Sequence, residues 1–312
     1  MDLRAELTSP ALDDRLEDLG LDRIDRRAVV AWAAELDDSD RARLDVLVSR
    51  LDEAFDARVA GRAVTVFEDS DTHHRLGPGV LVVLALALAA PGLAARSSYP
   101  AEVVTATQAD LAQQLRCYRA IHDETGLDVA WWMETVFADG FARLGRLQFE
   151  LTTSGLGVGT DADDVVPVLS VHVPAQGRLD EEAVDDALGK ATAFFEEHHP
   201  DKAPIEWFVC HSWLLDPAMT FLMPTSNIAS FTRRWDVWKA VDDDRSVLQF
   251  AFDVALPEGV DGPGDLDRLP TDTALRRALV EYWRDGEHMM SCSGRLWANR
   301  PDAEDASPTV EA

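Results

Sequence analysis

Lysine is almost missing from this chain: Lys190, Lys202 and Lys239 are the three present, and arginine supplies nearly all of its 29 basic residues. These are scattered among 57 acidic residues, giving a formal charge of −28 and a pI near 4.5, and no basic patch overrides that field. A surface of this sign repels polyanions, which excludes nucleic acid and anionic membranes as partners. Cysteine is scarce too. Cys117, Cys210 and Cys292 lie far apart with no C-x-x-C pair, which excludes a disulfide framework and a thiolate zinc site and fits a reducing cytoplasm. The doublets His73-His74 and His198-His199 lack the i, i+4 spacing of a helical metal site, so no metal is expected. No apolar run approaches the roughly 20 residues needed to span a bilayer. The strongest, Val80 to Ala90, stops at Pro91-Gly92 and reads as a buried helix, and the first ten residues lack the succession of a secretory signal.

What is there suffices for two cores: 312 residues, 46% hydrophobic. Up to residue 145 the patterning is helical. Leu44, Leu47, Val48, Leu51, Phe55 and Val59 recur at three/four spacing behind a Ser39 cap. Thr107, three residues before Asp110, predicts the opening of a second helix, and a third carries Trp131 and Trp132 as core or interface anchors. At Leu144-Gly145-Arg146 the period changes: Leu147, Phe149 and Leu151 alternate with Gln148, Glu150 and Thr152, the mark of a strand with one apolar face. Across a Gly-rich acidic turn (Ser154 to Asp164), the strand Val168 to Val173 forms a hairpin with it. An amphipathic helix bearing Val184, Ala187, Leu188, Ala191 and Phe195 follows, then the strand Glu206 to Leu215. Two strands joined by one helix pair in parallel through a right-handed crossover. Beyond them the pattern predicts a short helix from Asp216, a strand around Leu248 to Phe252, a helix from Thr273 to Arg284 and a strand from Ser291 to Trp297. The expected fold is α+β: a helical N-terminal domain over 1–145, a mixed sheet flanked by helices over 146–300, and a disordered tail over 301–312.

Glu150 and His172 occupy polar positions of neighbouring strands, where a carboxylate beside an imidazole makes a general-base pair. His211 shares a mainly aromatic face with Trp207, Val209 and Trp213, and Cys210 points the opposite way, so the two cannot form a thiol dyad. Gln176, Gly177 and Arg178 stand just before a helix start that favours a pyrophosphate, although Asp180, Glu181 and Glu182 crowd the same end. Ser226-Asn227-Ile228 with Phe231, Arg233, Arg234 and Trp235 forms a cationic and aromatic cluster suited to part of a ligand.

Several segments resemble a bacterial acyltransferase-domain family, with a helical N-acyltransferase N-terminal domain and a C-terminal domain similar to the GNAT (Gcn5-related N-acetyltransferase) fold. They are Thr107-x-x-Asp110, Trp132, Leu144 to Glu150, His172-x-Pro174 with Gly177, Cys210 to Pro217, Ser226-Asn227-Ile228 and the helix after Pro270 to Thr273, together spanning residues 75 to 297. The resemblance implies a GNAT-like mixed sheet and transfer of an acyl group from acyl-CoA, acetyl or longer, to a small-molecule amine by direct attack. By the same likeness Val173, Gln176, Gly177 and Arg178 would hold the CoA, and the two crossover strands would splay around its pantetheine arm. Gly177 stands alone where the GNAT signature has two glycines. Glu150 and His211 are the expected proton acceptors and His172 their orienting partner; Ser212, Trp213, Asn227 and Arg233 are the expected substrate contacts. The rival expectations are a binding or regulatory protein on the same fold, and a hydrolase using Glu150 and His211 without CoA.

Overall fold

The computed structural model describes residues 3–8, 10–62, 64–155, 165–254, 260 and 262–298. The expected acidic turn falls mostly, and the expected tail wholly, outside them. Up to residue 138 the regular elements of the described chain are helices, apart from the hairpin β1 (His73–His74) and β2 (Gly77–Pro78). The helix Asp38–Ala54 is capped by Asp37 rather than Ser39, through a capping box with Asp40, and it ends before Phe55 and Val59. The apolar run forms the helix Val80–Arg96 and continues through Pro91-Gly92. Its residues 80–90 are all buried, and that packing outweighs the roughly 3 kcal/mol a proline costs a helix interior. Before it, Gly79 takes φ +73, and a Cβ there would stand 2.5 Å from Leu127 Cβ, so only glycine fits. Thr107 does not open a helix. It lies in the last turn of Ala101–Gln108, where its hydroxyl donates to Val103 O (2.7 Å) and accepts from Arg143 N (2.9 Å); the next helix is Asp110–His122.

Among the described residues six strands make one sheet in the order β3 (Phe141–Leu144), β4 (Leu147–Gly155), β5 (Val165–His172), β6 (Trp207–Ser212), β8 (Met290–Trp297) and β7 (Asp236–Asp242). All neighbours are antiparallel except β5 and β6, which are parallel and joined by the crossover helix Glu181–His198. The α+β expectation holds. One sheet face is apolar: Leu147, Phe149, Leu169, Val171, Phe208 and Cys210 pack with Val184, Ala187, Ala191 and Phe195 of the crossover helix. The helical half covers the other face over β3 to β5, joined there by Trp132, Asp110 and Arg58.

One expectation in the last third is corrected, and one strand is added. The segment expected as a strand at Leu248 to Phe252 is the end of the helix Asp244–Phe252: Asp243 caps it by accepting from Ser246 N (3.0 Å), and Val247, Leu248 and Phe252 bury one stripe against Leu279, Val280 and Trp283. A strand lies just before it instead: β7, mostly exposed and carrying Asp236, Lys239 and Asp242, as suits a sheet edge. The helix Ala274–Arg284, capped by Thr273, and strand β8 stand where the pattern puts them. No helix among the described residues is long and apolar enough to cross a membrane.

Candidate active site

Strands β5 and β6 pair through Leu169 with Phe208 and Ser170 with Val209, and part beyond them. Each then keeps its outer partner, since β5 remains paired to β4 as far as His172 and β6 to β8 as far as Ser212. The result is a wedge open at the C-terminal end of the parallel pair. His172 and His211 lie two residues past Ser170 and Val209, so alternation puts both on one face, at opposite lips of the wedge. Cys210 points away from that face and is buried.

On the β5 lip, His172 Nε2 lies 3.5 Å from Glu150 Oε2, and Glu150 Oε1 receives Arg58 Nη1 at 2.5 Å. Burial pushes the Glu150 carboxyl up, but the His172 imidazole and the Arg58 guanidinium outweigh it and hold the carboxyl below its ordinary range. The His172 ring packs against Trp132, with centroids 4.8 Å apart, and Phe141. Behind them Asp110, fully buried, accepts from Trp132 Nε1 (2.7 Å), Gln114 Nε2 (3.0 Å) and Gln148 Nε2 (2.9 Å). Three stretches of chain thus converge on one imidazole. On the β6 lip, His211 is exposed and its Nδ1 stands 3.0 Å from Ser293 Oγ.

Two arginines from elsewhere in the chain brace the loop after β5. Arg146 donates from Nε to Arg178 O (2.8 Å) and from Nη2 to Gly177 O (3.1 Å), while its buried Nη1 has no hydrogen-bond partner. With its side-chain amide turned so that the oxygen faces Arg116, Gln176 accepts from Arg116 Nη2 (2.8 Å) and Nε (2.9 Å), and Gly177 uses the left-handed φ of +88. The acidic start of the crossover helix is partly answered from outside: Asp180 accepts from Asn227 Nδ2 (2.9 Å), and Arg234 pairs with Asp185 and, at 3.6 Å, with Glu181. An open pocket of about 570 Å³ lies there, lined by Ser226, Ser230, Arg233 and Arg234 with Glu181 and Asp185.

The structure therefore gathers Glu150, His172 and His211 at the wedge, and Val173, Gln176, Gly177 and Arg178 on the loop that leaves it. Asn227 and Arg233 flank the crossover helix start. Ser212 is spent locally, accepting from Leu214 N (3.1 Å), and Trp213 is buried among Met219, Val247 and Leu279, away from the wedge. Sequence reasoning missed Arg58, Arg116 and Arg146 as site residues, because each reaches the site from a part of the chain with no local pattern to mark it. Among the described residues no group of three or more His, Cys, Asp or Glu is placed to hold a metal ion.

The fold that carries this wedge has counterparts among known proteins. The family model for the GNAT-like C-terminal domain matches residues 141–296, and that for the N-acyltransferase N-terminal domain matches residues 10–138. This chain belongs to the GNAT-like acyltransferase family. Among solved structures, an acyltransferase in complex with decanoyl-CoA is similar at 25% identity and a TM-score of 0.76. One in complex with decanoyl-CoA and teicoplanin is 27% identical with a TM-score of 0.73, and one with CoA and 10C-teicoplanin is 26% identical with a TM-score of 0.73. Each comparison covers 93% of this chain and 88% of the other. No curated protein matches the chain. For this GNAT-like acyltransferase the residues present fit a CoA thioester: the wedge offers facing strand edges without partners, and the buried, unpartnered Nη1 of Arg146 lies beside the glycine loop.

Proposed function

We propose that the protein moves a medium-chain acyl group from acyl-CoA to the nitrogen of a small-molecule amine. The parting of β5 and β6 after Ser170 and Val209 carries this reading. Facing strand edges released from each other present main-chain groups to the amides of a pantetheine arm and to the oxygen of its thioester. Octanoyl- and decanoyl-CoA in the similar structures favour a donor of that length, and teicoplanin beside CoA favours a soluble acceptor.

Supplied with the thioester, the protein's own groups do the following. The amine attacks the carbonyl carbon as the C–S bond breaks, and the proton it sheds goes to His172. Glu150, tied to Arg58 and held low, is a weak base, so it serves as the orienting carboxylate and His172 as the acceptor, the reverse of the roles expected from the sequence. With Nε2 turned to Glu150, Nδ1 is the nitrogen left to accept. His211, on the opposite lip, faces the departing sulfur. Positioning between the two lips supplies much of the rate.

Purified protein mixed with acetyl-, octanoyl- or decanoyl-CoA and a panel of amines tests this by mass spectrometry of the acceptor together with thiol release. The expected product is an acceptor heavier by one acyl group, with CoA released in equal amount. Release of free fatty acid irrespective of acceptor would instead support a hydrolase, and tight acyl-CoA binding without turnover a binding protein.

A further inference from the structure

We propose that Arg58, supplied by the helical half of the chain, is a positioning residue of the active site: it fixes one oxygen of Glu150 so that the other stays turned to His172. The inference rests on the reading of Glu150 and His172 given above. Arg58 lies in a turn that follows the helix Asp38–Ala54, 92 residues from Glu150, and no local pattern requires it there. The turn is tied to the sheet: Phe55 O accepts from Asp139 N at 2.6 Å, Gly140 O accepts from Leu151 N at 2.7 Å, and Val59 packs so closely on Gly140 that a Cβ there would stand 2.5 Å from it. The guanidinium is thus held on β4 by the same contacts that set the strand's place.

The division of labour on Glu150 follows from the distances. Oε1 belongs to Arg58 at 2.5 Å, and Oε2 faces His172 Nε2 at 3.5 Å. The other charged groups around the pair are engaged elsewhere. Glu134, on the helix Ala130–Val136, accepts from Val66 N (2.9 Å) and Phe67 N (2.7 Å); Asp110 holds Trp132, Gln114 and Gln148; Arg143, opposite Gln148 on β3, donates to Gly145 O (3.4 Å). Removing the Arg58 charge raises the affinity of Glu150 for protons, because the guanidinium is one of the groups that hold its carboxyl low. The carboxylate that orients the imidazole is then lost at a higher pH, so the acid limb of activity moves upward with it.

The test compares wild type, Arg58→Gln, Arg58→Lys and Glu150→Gln in pH profiles of kcat/KM, and follows the 13C-labelled Glu150 carboxyl by NMR titration in the first three. Arg58→Gln is expected to lower kcat about tenfold at neutral pH, to leave the KM for acyl-CoA unchanged, and to shift both the acid limb and the carboxyl titration upward, with Arg58→Lys restoring them. A carboxyl titration of Arg58→Gln that superimposes on wild type overturns the proposal, even where turnover is too slow to profile. If Glu150→Gln keeps full activity, the reading of the active site fails and the role of Arg58 fails with it; if Glu150→Gln is impaired and Arg58→Gln unshifted, only the role of Arg58 is lost.

Discussion

His172 and His211 lie on one face of the sheet at opposite lips of the wedge between β5 and β6, each two residues past the last paired position of its strand. Their surroundings differ. His172 is backed by Glu150 and packed on Trp132, while His211 is exposed and meets Ser293. Replacing His172 by Ala is therefore expected to lower kcat by about a hundredfold or more, the scale of a lost general base, and His211→Ala by about tenfold. Steady-state kinetics with decanoyl-CoA check both; equal losses would argue against the assignment of the base to the β5 lip.

Arg146 braces the loop after β5 and leaves Nη1 unpaired in a buried position. If CoA phosphates lie against that loop, Arg146→Ala should weaken CoA binding about tenfold, with a smaller loss at high salt. Calorimetric titration of CoA and of dephospho-CoA measures it. An unchanged dissociation constant would place the phosphates elsewhere.

All three thiols are less acidic than usual. Burial pushes Cys210 up to about 12 and Cys292 up to about 11, and burial also raises Cys117. Native protein at pH 7.5 is expected to react slowly with a disulfide reagent and to yield three thiols once unfolded. Rapid labelling of Cys210 in the native state would contradict the packing of the crossover helix on the sheet.

The helical half has its own buried ion pair. Asp71, 1% exposed, receives Arg43 through Nε to Oδ1 and Nη2 to Oδ2, both at 2.7 Å. Burial pushes the Asp71 carboxyl up, but Arg43 and the Glu68 amide bring it below its ordinary value. Its contribution is therefore present above the ordinary carboxylate range and lost as pH falls through the lowered folded value. Arg43→Ala, which strands the carboxylate, should cost about 3 kcal/mol near neutral pH. The gap to wild type should narrow in acid, where Asp71 is protonated in both; denaturant melts at both pH values read it.

Much of the sheet was legible because its signals are local. The alternation through Leu147 to Thr152 marks β4, and the strand, helix, strand run from Val168 to Ser212 implies the parallel pair, since no short turn can join parallel neighbours. The cap Thr273 likewise marks its helix. Edge strand β7 was not legible, because its apolar residues fall in adjacent pairs, Val237-Trp238 and Ala240-Val241, and leave no alternation to read. Residues 244–252 carry their apolar residues close enough together that helix and strand patterns overlap, and burial against Trp283 decides for the helix. Glu150 and His172 could be placed on one face from strand periodicity alone. Arg58, Asp110 and Trp132 could not be joined to them, because their contacts arise when the helical half closes over the sheet, and sequence separation carries no trace of that.

The most direct test of the wedge is a crystal structure with decanoyl-CoA bound. The pantetheine arm is expected between residues 171–173 of one strand and 210–212 of the other, with the thioester carbon beside His172. Arm density on the outer edge of the sheet, with side chains filling the gap between the two strands, would contradict the account.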